Sequence, residues 1–273
     1  MNTKANQGTA LLTGASSGIG AVYADRLAHR GYDLILAGRD ASRLEALSAK
    51  LRGLGRKVSI IPGDLSNKTD VKAIEQRLLT DTSISLFLNN AGQAAVTPLV
   101  DSDVDKLEQM LEVNVVAFTR LAAASAKAFV KRGRGTIINI SSAVALSPDM
   151  LNGAYNGSKA YVLNFTQSMQ NELAGKGVQI QVVLPGAVAT ELWDRGGLPV
   201  EHLPKEIVMP VDAAVDAALA GLDQGELVTI LSLPDVENWE AFVAARKVLR
   251  PNLSRSQPAA RYRQPASPAP TRL

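Results

Sequence analysis

Tyr155 and Lys159 stand four residues apart, a spacing that puts a phenol and an ammonium on one helical face, one turn from each other. A cation held near a phenol favours the phenolate. Tyrosine ionises near pH 10, so acid–base work near neutrality needs a shift of roughly 2 to 3 units, about 3 to 4 kcal/mol. One lysine rarely supplies that much, and a second cation bound nearby would add to it. Ser142, at the end of the apolar run from Thr136 to Ile140, would reach the same point from a strand end, where its hydroxyl can hold a substrate oxygen. Without context, the same pair reads as an ordinary, partly exposed pair on a helix.

The elements that must position these groups begin with the run Thr9-Ala-Leu-Leu-Thr13, which enters Gly14-Ala-Ser16-Ser17-Gly18-Ile19-Gly20. Ile19, Val22, Tyr23 and Leu27 then recur at helical spacing until Gly31, giving strand, glycine turn and helix. Glycines let a backbone approach a pyrophosphate, and a helix N-terminus offers it free N–H groups, so this turn is a candidate nucleotide cradle. Apolar runs follow at 33–37, 57–61, 84–88, 136–140, 179–184 and 227–231. Helical patterns lie between them at 40–52, 70–79, 103–131, 154–174 and 211–223. Such alternation predicts an α/β fold: one doubly wound parallel sheet in a three-layer domain over residues 9–232, with its ligand at the carboxyl ends of the strands. Residues 1–8 form a lead, 233–250 a C-terminal helix, and 251–273 a proline-rich segment that reads as a disordered tail.

Composition removes several classes of chemistry. No cysteine is present, which excludes disulfides, thiolate metal sites and a cysteine nucleophile and fits a reducing compartment. His29 and His202 alone do not make a histidine metal site, so no metal is expected. The first residues lack an apolar signal segment, and no run of about 18 apolar residues occurs, so a cytoplasmic protein without a membrane anchor is expected. The net charge of +3 comes from seven basic and no acidic residues after Glu240, leaving 22 basic against 26 acidic side chains in the rest. A nucleic-acid-binding body is not expected; the basic tail is either solvated or touches an anionic partner.

Within the long helical pattern, Leu107, Leu111, Asn114, Phe118 and Leu121 share a seam, so Asn114 falls where an apolar residue is expected. From this seam alone it reads as a hydrogen-bonded core asparagine rather than a site residue. Asn89-Asn90-Ala91-Gly92 and Pro185-Gly186 close two strands with small and turn-forming residues, at the face where ligands bind.

In order along the chain, Thr13-Gly14-x-x-x-Gly18-x-Gly20, Asp64, Asn89-Asn90-Ala91-Gly92, Asn114, Ser142, Tyr155-x-x-x-Lys159 and Pro185-Gly186 resemble the short-chain dehydrogenase/reductase family. The match covers residues 9 to about 231. The resemblance implies a Rossmann-type enzyme that moves a hydride between a nicotinamide and a carbonyl or alcohol carbon of a small molecule. It implies Tyr155 as general acid/base, Ser142 on the substrate oxygen, Lys159 on the nicotinamide ribose, and Asn114 behind a water relay to that lysine. It also implies Asp64 at the adenine, Asn90 near the adenosine-side ribose and Thr190 at the carboxamide. Leu65, Ala91, Gly92, Pro185, Gly186 and Val188 would lie beside them along the cofactor.

An NAD enzyme of this architecture places an acid on the ribose 2′-hydroxyl at the end of its second strand. Here that strand ends in Gly38-Arg39-Asp40, which points to NADP(H) with Arg39 on the 2′-phosphate. The alternative is Asp40 on the ribose, though Asp40 is better placed as the cap of the next helix. Residues 192–210, with Leu192, Trp193, Leu198, Leu203 and Met209, read as a lid that joins Met150 and Leu151 in an apolar pocket, or else pack on the body. The expected activity is ketone or aldehyde reduction; the alternatives are a 3-oxoacyl thioester or steroid reductase, or a cofactor sensor without chemistry. An amphipathic helix from Asp235 to Leu249, with Val236, Trp239, Phe242, Val243 and Val248 on one face, replaces the glycine-rich closing segment of many family members. A homodimer is therefore expected, with the family's tetramer as the alternative.

Overall fold

Leu34, Ile35, Leu36 and Ala37 are each at most 1% exposed, the pattern of a strand covered on both faces. They form β2 (Asp33–Gly38) of a seven-stranded sheet in a computed structural model that describes residues 6–262. Residues 1–5 of the expected lead and 263–273 of the expected tail lie outside the described residues. The chain divides after Ser232 into two units.

The first unit opens with β1 (Thr9–Thr13), α1 (Gly18–Arg30), β2, α2 (Ala41–Arg52), β3 (Val58–Pro62), α3 (Lys68–Thr80) and β4 (Ile84–Asn89). It continues with α4 (Val104–Leu111), α5 (Phe118–Arg132), β5 (Gly135–Ile140), α6 (Gly153–Glu172) and β6 (Val178–Leu184). Two short strands, β7 (Ala187–Val188) and β8 (Val208–Met209), flank α7 (Leu192–Gly196); α8 (Val211–Asp223) and β9 (Val228–Ile230) complete it. The order across the sheet is β3-β2-β1-β4-β5-β6-β9, with every pairing parallel. After β3 the chain crosses back to lay β4 beside β1, so the winding reverses there and a crevice opens at the carboxyl ends of both strands.

Period-two alternation distributes each strand between two cores. Ala10, Leu12, Leu34 and Leu36 face Tyr23, Leu27 and Leu44 of α1 and α2 with Leu219 of α8. Leu11, Ile35 and Ala37 face Val71 and Ile74 of α3 with Leu121 and Phe129 of α5 and Met169 of α6. This is the three-layer, Rossmann-type arrangement expected from the alternating pattern.

The helical pattern at 103–131 is interrupted. Between α4 and α5, residues Glu112–Ala117 take wide π-helical turns, and the change of phase leaves Leu111 exposed and Met110 buried. The seam expected from 3.6-residue spacing therefore loses Leu111, while Leu107, Asn114, Phe118 and Leu121 keep their buried places. Val104–Arg132 is long and apolar enough to cross a membrane by length and composition alone, but 56% of its most apolar 18-residue window (mean hydropathy 1.3) is buried, as in a core helix.

The second unit contains α9 (Val236–Leu249), in which the Trp239 and Phe242 rings stack 5.5 Å apart and Arg246 lies over Phe242. None of its residues is buried.

Candidate active site

A cavity of about 690 Å³ runs along the carboxyl ends of the strands. At one end is the turn after β1. Gly14 and Gly18 have left-handed backbones, at φ 63° and 53°, and a Cβ on Gly14 would lie 2.8 Å from Asn90 Nδ2. A Cβ on Gly20 would collide with Gly14 O, so Gly20 lets α1 pack against the turn and stands outside the cavity wall, whereas Gly14, Ser16, Ser17, Gly18 and Ile19 line it. The Ser17 side chain makes no cap hydrogen bond, so the first N–H groups of α1 have no partner from their own cap. Asn90 stitches the ends of β4 and β1 together: its Nδ2 donates to Thr13 O (3.0 Å) and Gly14 O (3.2 Å). Asn90 N and Ala91 N both donate to Thr13 Oγ1.

Arg39, Asp64 and Leu65 mark the far end of this stretch. Arg39 is exposed and has neither a hydrogen bond nor an ion pair among the described residues. Asp40 caps α2, its Oδ1 accepting from Arg43 N at 3.0 Å, as its position in the sequence predicts. Asp64 Oδ1 accepts from Ser66 N and Oγ, each at 2.9 Å, which fixes its carboxylate at the wall.

The other end joins β5, α6 and β6. Ser142 is N-terminal to a short turn; its Oγ donates to Pro185 O at 3.3 Å and accepts from Val144 N at 3.4 Å. Tyr155 is 5% exposed and packs with Leu107, Met110 and Val144. Burial pushes its phenol up to about 12, and a hydrogen bond with Ser142 offsets part of that rise. This reverses the expected direction: in the protein alone, loss of solvent dominates the shift. Lys159 is buried as well, with Nζ 5.9 Å from the Tyr155 ring centre, and burial pulls its ammonium down to about 8. Among the described residues its one hydrogen-bond partner is Ile140 O, at 3.2 Å, which leaves two of three N–H donors without a protein partner in a residue that lines the cavity.

Asn114 does not line the cavity. It lies behind Gly92, where its Oδ1 accepts from Gln93 N (2.9 Å) and its Nδ2 donates to Gln93 O (2.9 Å) and Ser158 Oγ (3.1 Å). The amide is satisfied and pins Gln93, which does line the cavity. Gly92 permits this closeness: a Cβ there would lie 3.3 Å from Asn114 Oδ1 and 3.4 Å from Lys159 Nζ. Pro185, Gly186, Val188 and Thr190 follow β6 along the wall, and Thr190 packs over Gly18.

The segment 192–210 does contact the cavity, through Leu192, Trp193, Leu203 and Met209. It is tied down by the β7–β8 pairing and by Trp193 Nε1, which donates to Val188 O at 3.0 Å. Sequence reasoning missed Gln93, Asn152 and the ion pair of Arg43 with Glu191 at 2.8 Å. Asn152 carries a readable signal, an N-cap type ahead of α6; the ion pair spans 148 positions and leaves no local trace. No cluster of three metal-ligating side chains occurs among the described residues.

Residues 8–197 match the family model for short chain dehydrogenase. A short-chain dehydrogenase from Sphingobium yanoikuyae, solved in complex with NADPH, is 44% identical and superposes with a TM-score of 0.90 over 93% of this chain and 100% of its own. The bulky-bulky ketone specific alcohol dehydrogenase from Comamonas testosteroni is 39% identical, with a TM-score of 0.87 over 94% of this chain and 99% of its own. The diacetyl reductase [(S)-acetoin forming] of Staphylococcus epidermidis is 31% identical over 189 residues, 68% of this chain and 74% of its own. The chain belongs to the short-chain dehydrogenase family of oxidoreductases.

Proposed function

We propose that the protein is an NADP(H)-dependent reductase of ketones that carry large apolar groups. The observation that carries this reading is the convergence of Ser142, Tyr155 and Lys159 at the apolar end of the same cavity whose other end is the glycine turn and Arg39.

The cradle fits a dinucleotide. Left-handed glycines leave no side chain between backbone and ligand, the uncapped start of α1 can receive a pyrophosphate, and Arg39 has its guanidinium free for a 2′-phosphate. Asp64 and Asn90 would flank the adenosine, Thr190 would meet the carboxamide, and the two spare donors of Lys159 would take ribose hydroxyls. The relative from S. yanoikuyae holds NADPH, which supports the preference drawn from Arg39. When bound, the reduced nicotinamide supplies the hydride for the carbonyl carbon.

The chain's own residues handle the oxygen. With its phenol raised to about 12, Tyr155 is protonated at neutral pH, the state needed to donate a proton from Oη to the carbonyl oxygen. Ser142 Oγ, turned away from its long bond to Pro185 O, donates to the same oxygen and holds it in line. Asn114 keeps Gln93 and the Gly92 turn fixed beside Lys159. Val144, Leu151, Trp193, Leu203 and Ile207 make this end apolar, which suits hydrocarbon on the substrate and excludes water. The ketone specificity of the C. testosteroni relative supports the same substrate class.

The test is NADPH oxidation measured over bulky ketones, small ketones, aldehydes and 3-oxoacyl thioesters. Fastest turnover is expected on ketones bearing two large groups. Turnover confined to thioesters would replace the substrate class, and none with any carbonyl would leave a cofactor sensor.

A further inference from the structure

Leu151 has a left-handed backbone, φ 56°, the one such non-glycine position among the described residues. A side chain disfavours that conformation, which persists only where the surroundings over-determine it. Two buried asparagines do so here. Asn152, 1% exposed, caps α6 by accepting from Ala154 N at 2.8 Å. Its Nδ2 donates to Thr97 O (2.7 Å) and Ser102 Oγ (3.1 Å), tying the start of α6 to the loop before α4. One turn later, Asn156 Nδ2 donates to Pro148 O (3.3 Å) and to Met150 O. The segment 148–152 is thus gripped on both sides of Leu151. Leu151 packs against the cluster of Leu107, Met110, Val144 and Tyr155 and lines the cavity together with Val144 and Tyr155.

We propose that Leu151 is a specificity-determining residue, a wall locked by Asn152 and Asn156 that limits the size of the ketone substituent lying against Val144 and Tyr155. The proposal rests on the reading of the cavity as a ketone reductase site. A side chain on a mobile loop would yield to a large substituent, whereas this one is fixed by its own backbone. Asn152 and Asn156 do not line the cavity and act as positioning residues.

The experiment compares kcat/KM for hexanophenone with that for butanone, both at saturating NADPH. It uses the unmodified protein, Leu151→Ala, Leu151→Gly and Asn152→Ser. Glycine accepts φ 56° without strain, so Leu151→Gly keeps the test sound if the alanine variant folds poorly. Both Leu151 variants are expected to raise the ratio of large to small ketone by about tenfold or more, the effect of removing a methylene or more from an apolar pocket. Asn152→Ser retains a helix cap but cannot span to Thr97 and Ser102, and should move the ratio the same way with NADPH affinity unchanged. Ratios within about twofold of the unmodified protein in both Leu151 variants, where methylene effects of this kind are ten times larger, would overturn the assignment. An unmodified protein that turns over neither ketone would instead overturn the reading of the site.

Discussion

An ammonium buried with a single carbonyl as partner weakens the fold that contains it, and Lys159 is in that position. Its pKa falls from an ordinary 10.5 to about 8, so the folded state binds this proton less tightly than the unfolded chain. The stability it contributes is present above pH 10.5 and lost as pH falls through about 8. Lys159→Met should therefore melt higher than the unmodified protein at pH 7, by about 2 to 4 °C for each kcal/mol recovered, while turnover collapses. The gain should shrink towards pH 10. Paired melts at the two pH values check this: a lower melt for the methionine variant at pH 7, or an equal gain at both, would contradict it. The pair Tyr155 and Lys159 was legible from spacing, but the direction of the phenol's shift was not, because spacing says nothing of how completely a side chain loses water.

At the scale of elements, the central strands were legible because they are buried on both faces and read as continuous apolar runs. The π-helical stretch at Glu112–Ala117 was not, since a periodicity of 3.6 residues assumes a regular helix, and Leu111 was placed on a seam that it leaves. The junction of β2 and α2 was read correctly down to its cap. Asp40 is engaged with Ser42, Arg43 and the start of α2, which leaves Arg39 as the group proposed to meet a 2′-phosphate. Hydrogen bonds to charged groups contribute about 1.5 to 3 kcal/mol, so Arg39→Ala should weaken NADPH by roughly 10- to 100-fold and leave NADH little changed. Titrating both cofactors into both proteins decides it; an equal loss for the two would place the 2′-phosphate elsewhere.

For the molecule as a whole, the crossing from β3 back to β4 brings together residues far apart in sequence: Gly14 and Gly18, Asn90, Ser142, Tyr155 and Thr190 meet around one cavity. Alternation of strand and helix implied that crevice. What sequence could not supply were the contacts that cross between chain segments: Asn152 with Thr97 and Ser102, Arg43 with Glu191, and the β7–β8 pairing that ties down 192–210. Each joins side chains or backbone far apart along the chain, so no local pattern encodes it. On the proposed reading, one end of that cavity takes a dinucleotide and the other an apolar carbonyl compound. Tyr155 stands at the second end, and the account depends on its proton. The most direct measurement is Tyr155→Phe, assayed for NADPH oxidation on the best ketone and, in the same preparation, for NADPH binding. Loss of a general acid predicts turnover lowered by at least about 100-fold with cofactor affinity unchanged, and a phenylalanine variant that keeps more than about half the activity would contradict it.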